Sequence, residues 1–116
     1  MEQEVFLPRA SEARIPEDKL KGYVLNPDHP TGRHKARMFR SALGIEQDDW
    51  EYLRDQILER LPDCPVAAIR LEPWGRLYEV RMTIDGLNGE SHRVLTAWAL
   101  EGDKPPSLAT LYVLPA

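Results

Sequence analysis

The chain has 116 residues, 42% apolar and 29% charged. That is enough for one soluble domain burying roughly 60 to 70% of its unfolded surface, and too little for two ordinary cores. Lys and Arg number 15 against 19 Asp and Glu, a net charge of −4, so any nucleic-acid role must come from a local patch. The one cysteine, Cys64, excludes an intramolecular disulfide and a cysteine-rich zinc site. No stretch approaches the ~20 apolar residues of a membrane span, and the charged start has no apolar signal segment, so the expected compartment is the cytoplasm.

Residues 1–14 mix charges with small residues and contain Pro8, which predicts an irregular arm ahead of a single domain over 15–116. Pro16, Glu17 and Asp18 open a short helix that runs to about Lys21 or Gly22, because proline suits the first helical position and acids suit the positive end of the dipole. Tyr23, Val24 and Leu25 are expected to pack it onto the core. The turn-rich run Asn26-Pro27-Asp28-His29-Pro30-Thr31-Gly32 predicts a shaped loop.

A helix follows over 33–43, stopped by Gly44 in the left-handed region. Ala36, Phe39 and Leu43 form its apolar stripe, and Arg33, Arg37 and Arg40 recur at i, i+4, i+7 on another face. A second helix is read over 48–61, with Trp50, Leu53, Ile57 and Leu61 inward and Pro62 at its end. It is strongly acidic, so the net charge conceals two segments of opposite sign.

Beyond Val66 the apolar period changes from helical to alternating, giving strands over 66–72, 77–85, 93–100 and 108–114. The connections are too short for parallel crossovers, so the expected fold class is α+β: N-terminal helices, two main and one short, packed on a four-stranded antiparallel meander.

The densest chemistry lies in His29-Pro30-Thr31-Gly32-Arg33-His34-Lys35. A loop opening into a helix there offers imidazoles, an amine, a guanidinium and the amides of a helix start, a natural anion site. An imidazole moves protons near neutral pH and a cation stabilises a charged phosphorane, which together suit metal-independent RNA cleavage through 2′-hydroxyl attack. A capped helix with a solvated basic face is the competing reading of the same spacing. His29, His34 and His92 with Asp28 match no standard zinc spacing, so no metal is expected. Trp98 and Tyr112 lie on alternating strands, where a ring is either core or a platform for a base; core is preferred for Trp98, whereas Tyr112, whose face Thr110 shares, is read evenly as core or as lining a cleft with hydroxyls.

The residues Leu25-Asn26-Pro27-Asp28-His29-Pro30 and Gly32-Arg33-His34-Lys35-Ala36, with Thr96-Ala97-Trp98 and Thr110-Leu111-Tyr112, resemble a bacterial family known as a domain of unknown function. Its pattern is an N-P-x-H-P-x-G-x-x-K-A loop and helix followed by a tryptophan strand and a threonine-tyrosine strand. Members look like free-standing small proteins and toxin- or phage-related modules. The element order is similar to the fold of barnase, the endoribonuclease U group, the colicin nuclease domains and the RelE toxins, which implies ribonuclease chemistry by analogy of fold. Carried onto this chain, the resemblance matches His29 and Lys35 in the loop and helix and Trp98, Thr110 and Tyr112 in the strands. With the basic residues of the helix, the expected catalytic residues are His29, Lys35, Thr110 and Tyr112 and the expected RNA-binding ones Arg33, His34, Arg37, Arg40 and Trp98, with no cofactor. His34 fills no fixed motif position. The expected function is a ribonuclease toxin of a toxin-antitoxin or related conflict system, partnered by RNA and by an acidic antitoxin or immunity protein. The alternative is a noncatalytic module that binds an acidic partner through its basic helix.

Overall fold

A computed structural model describes residues 3–115; the first two residues of the expected arm lie outside the described residues. The fold is α+β, with the helices N-terminal to a four-stranded antiparallel sheet. The strands are β1 (Val66–Glu72), β2 (Gly75–Asp85), β3 (Ser91–Leu100) and β4 (Ser107–Val113), in the spatial order β1-β2-β3-β4. β2 and β3 begin two residues earlier than their apolar alternation suggests, because backbone pairing reaches into the turns as far as Glu72–Gly75 and Asp85–Ser91.

Strand alternation divides the sheet into two faces. Tyr78, Val80, Met82 and Ile84 of β2 are buried against the helices, together with Val94, Trp98, Leu108 and Leu111. Thr96 shares that buried face, where its hydroxyl donates to the Val80 carbonyl (2.8 Å) and accepts from the Trp98 indole N–H (2.8 Å). The tryptophan is 0% exposed and its polar atom is satisfied.

Helix α1 is a single α turn, Glu17–Lys19, that widens into a π turn over Leu20–Val24. The short helix therefore extends past Gly22. Helix α2 spans Arg33–Leu43, and Gly44 follows at φ 66, where Ile45 N–H closes onto the Phe39 carbonyl at 3.2 Å. Helix α3 spans Trp50–Arg60, flanked by 3-10 turns at Gln47–Asp49 and Leu61–Asp63. Leu53, Ile57 and Leu61 are buried, whereas Trp50 is only half-buried, with Arg54 over its ring at 5.0 Å.

α2 packs over β3 and β4, and α3 over β2. Gln56 joins α3 to the sheet: its amide donates to the Asp85 carbonyl (3.0 Å) and its oxygen accepts from the Asp85 N–H (2.6 Å). The β2–β3 turn locks the far end of α2, since Leu87 N–H donates to the Leu43 carbonyl at 2.7 Å.

The arm is irregular apart from a 3-10 turn at Ala10–Glu12, yet it is docked at several points. Leu7 enters the core, Phe6 bridges Pro65 beside β1, and Arg14 bridges Ser107 of β4. It thus reaches from one edge of the sheet to the other.

Phe39 is 0% exposed at the centre of this arrangement. Phe39→Ala is expected to lose about 3 to 5 kcal/mol, the usual cost of emptying a buried aromatic site. Urea unfolding checks this, and a midpoint matching wild type would remove Phe39 from the core.

Candidate functional site

The turn-rich loop places His29 before α2 and folds it back as a cap. Its Nδ1 accepts from the backbone N–H of Thr31 (3.1 Å) and of Gly32 (3.0 Å), while its carbonyl accepts from Arg33 N–H (3.1 Å). Three of the amides that the sequence offers to an anion, those of Thr31, Gly32 and Arg33, are therefore already taken. The same contacts choose the tautomer: with Nδ1 accepting, the proton of the neutral ring sits on Nε2, which is the nitrogen left to act outward.

Gly32 is buried, and a Cβ there would overlap the carbonyl oxygen of Tyr23. Glycine thus lets the first turn of α2 lie directly on the backbone of Tyr23. The Tyr23 ring meets His29 edge-on, with centroids 4.9 Å apart, and one turn into the helix the Lys35 amine donates to the Tyr23 hydroxyl at 2.7 Å. The Lys35 cation also stands 4.8 Å from the centre of the same ring.

These contacts make Tyr23 the hub, a role that its expected place in core packing did not suggest. The hydrogen bond from Lys35 holds the Tyr23 phenol below its ordinary range, against the opposing effect of partial burial, and the hydroxyls of Thr31 and Thr110 add to the lowering. An ammonium only donates, so the phenol's own proton is directed elsewhere. The Thr110 hydroxyl on β4 is buried near that phenol but makes no hydrogen bond of normal geometry to it.

A bulge in β4 precedes Thr110. β3 and β4 slip register between Ala97 and Trp98, which leaves Ala109 unpaired immediately before Thr110. From Thr110 onward the register is regular, so Thr110 and Tyr112 share a face, opposite Ala97 and Leu95. The Thr110 hydroxyl is enclosed, whereas Tyr112 is exposed.

The remaining expected site residues are dispersed. Trp98 is enclosed in the core and leaves no face for a base to stack on. His34 is exposed on α2, and His92 is half-buried on β3 beside Arg93. Arg33, Arg37 and Arg40 line a separate groove. Helical geometry separates them from Lys35, because the two residues from Arg33 to Lys35 turn the helix through about 200°. Among the described residues, no group of three or more His, Cys, Asp or Glu side chains gathers as a metal site. A cleft of about 790 Å³ lies between α3 and β2 and carries Asp55, Glu59, Asp63 and Asp85, a lining that repels phosphate. Cys64 borders it half-buried, where burial, and then Asp63, push its thiol above the ordinary value.

Tyr23 is expected to ionise below the ordinary phenol value of about 10 in an ultraviolet titration. Lys35→Ala should return it to that value. A lowered folded pKa stabilises the fold above the unfolded value, and the gain is lost as pH falls through the folded one, so the link supports stability in alkali and not at neutral pH. Identical titrations of wild type and Lys35→Ala would show that the two groups are uncoupled.

No curated protein and no solved structure matches the chain. The model of a family described as Domain of unknown function (DUF6883) matches residues 6–115, and the chain belongs to that family.

Proposed function

We propose that the protein is a metal-independent ribonuclease acting at Tyr23, Lys35 and His29, of the kind used as a toxin in bacterial conflict systems, with RNA as substrate and an acidic antitoxin or immunity protein as cognate inhibitor. The observation that carries this reading is the 2.7 Å contact from Lys35 to the Tyr23 hydroxyl within a half-buried cluster that also gathers His29. It pairs a proton-transfer group with a fixed positive charge, which the chemistry requires.

Tyr23, its phenolate favoured by Lys35, takes the proton of a 2′-hydroxyl as that oxygen attacks the adjacent phosphorus. The bond from phosphorus to the 5′-oxygen breaks, the departing oxygen takes a proton from solvent, and a cyclic phosphate remains. The Lys35 ammonium steadies the charge that builds on the phosphoryl oxygens. His29 donates from Nε2 to one of those oxygens. Of the two proton-transfer candidates Tyr23 is the better placed, since protonating His29 at Nδ1 would break its hydrogen bonds to Thr31 and Gly32. Thr110 supports the hub from β4.

The test is cleavage of a short oligoribonucleotide in the presence of a chelator. Cyclic phosphate and 5′-hydroxyl ends are expected, with no cleavage of the matching deoxyribonucleotide. Tyr23→Phe and Lys35→Ala should each lower the rate by about 10²- to 10⁴-fold, the usual contribution of proton-transfer groups. A rate limb tracking the Tyr23 titration favours tyrosine as the base, and an imidazole-range limb lost in His29→Ala would move that role to His29. Absence of cleavage over a broad pH range, or full activity in both variants, would overturn the reading.

A further inference from the structure

Helix α2 works on two flanks, and the proposed cleavage site uses only one. Arg33, Arg37 and Arg40 occupy the other within an arc of about 60°, spread over roughly 10 Å of helix axis. All three are exposed, and among the described residues none forms an ion pair. They line a groove of about 260 Å³ with Leu25, Pro27 and Ala36, facing Glu46 and Gln47.

The groove's walls differ in sign. Beyond Glu46, the second wall continues through Asp48 and Asp49. These acids do not neutralise the arginines: Glu46 and Asp49 are tied to each other's backbone amides, with Glu46 N–H donating to the Asp49 carboxylate at 2.9 Å. The floor is apolar, and the volume lies below the ~300 to 1,000 Å³ usual for small-molecule pockets, which favours an anchoring side chain over a cofactor.

We infer that this groove docks an amphipathic helix of a partner protein: carboxylates at i, i+4 and i+7 meet Arg33, Arg37 and Arg40, an apolar side chain enters between Leu25 and Ala36, and basic residues on its other flank meet Glu46 and Asp48. Charge complementarity selects this occupant. Nucleic acid carries phosphates on every unit, so a strand in the groove would press negative charge against the acidic wall. A peptide helix presents different charges on its two flanks, as the groove does. Lys35 lies about 160° around α2 from Arg33, and neither Tyr23 nor Lys35 lines the groove, so the inference stands whether or not the chain cleaves RNA.

The probe is a labelled synthetic helix with Glu at i, i+4 and i+7, Leu at i+3 and Lys on the opposite flank, titrated with the full chain and followed by fluorescence anisotropy. Saturable binding that weakens as salt rises is expected, with at least a tenfold loss in Arg37→Glu and in Arg33→Glu. Arg37→Gln should show a smaller loss, and Lys35→Ala should bind like wild type. A probe with Lys replacing the three Glu residues should regain affinity for the triple variant Arg33→Glu, Arg37→Glu, Arg40→Glu, which answers any concern about its folding. Failure of the acidic probe to bind, or binding indifferent to Arg37→Glu, overturns the inference. It is also overturned if an oligoribonucleotide displaces the probe and loses its own affinity in Arg37→Glu, or if sedimentation shows a dimer of this chain that Arg37→Glu dissolves.

Discussion

The contact between Gly32 and the backbone of Tyr23 is the constraint on which the site depends. Any side chain at Gly32 would collide with the Tyr23 carbonyl and drive the start of α2 away from the π turn. Three features would then be lost together: the cap formed by His29 on the Gly32 amide, the edge-on packing of His29 against Tyr23, and the reach of Lys35 to the phenol. The far end of α2 is held just as closely, because Gly86 also lacks room for a Cβ against Leu43. A helix pinned at both ends by glycine contacts presents its side chains at fixed angles, which pre-organises the charge beside Tyr23.

Electrostatics divides the surface in a way that the net charge of −4 conceals. α3 and the end of β2 carry an acidic cleft, partly balanced where Arg60 meets Asp85 at 2.9 Å. α2 carries unpaired arginines on one flank and Lys35 on the other. Because α2 and α3 share one face of the sheet, both fields belong to the helical layer. An anion approaching that layer is drawn toward α2 and away from α3.

Local patterns in the sequence carry most of the fold. The boundaries of α2, the left-handed Gly44 and the extent of β1 follow from helical spacing, a stop residue and alternation, all of them short-range signals. The site was less legible. His29, Lys35 and Thr110 are marked by residue type, but the meeting of Lys35 with Tyr23 depends on a contact across 12 positions, which leaves no periodic trace. Trp98 is invisible to alternation for the opposite reason: alternation places the ring on a face without saying that helices cover it. The separation of Arg33 from Lys35 was present in the spacing, since two residues turn a helix by about 200°.

The outer edge of β1 has a consequence for the chain in company. Beyond Val66, where the arm supplies one backbone hydrogen bond, no described strand pairs with that edge, and the helical layer stops short of it. Leu71 is 80% exposed there, with Ile69 and Trp74 also open to solvent. Hydrogen-bonding capacity left unspent beside apolar side chains is a template for another extended chain. Pro65 and Pro73 bracket the seven residues of β1 and cannot donate, so they limit how far such a template can propagate. Crowding during synthesis therefore bears on this edge first, and the two prolines act as its guards.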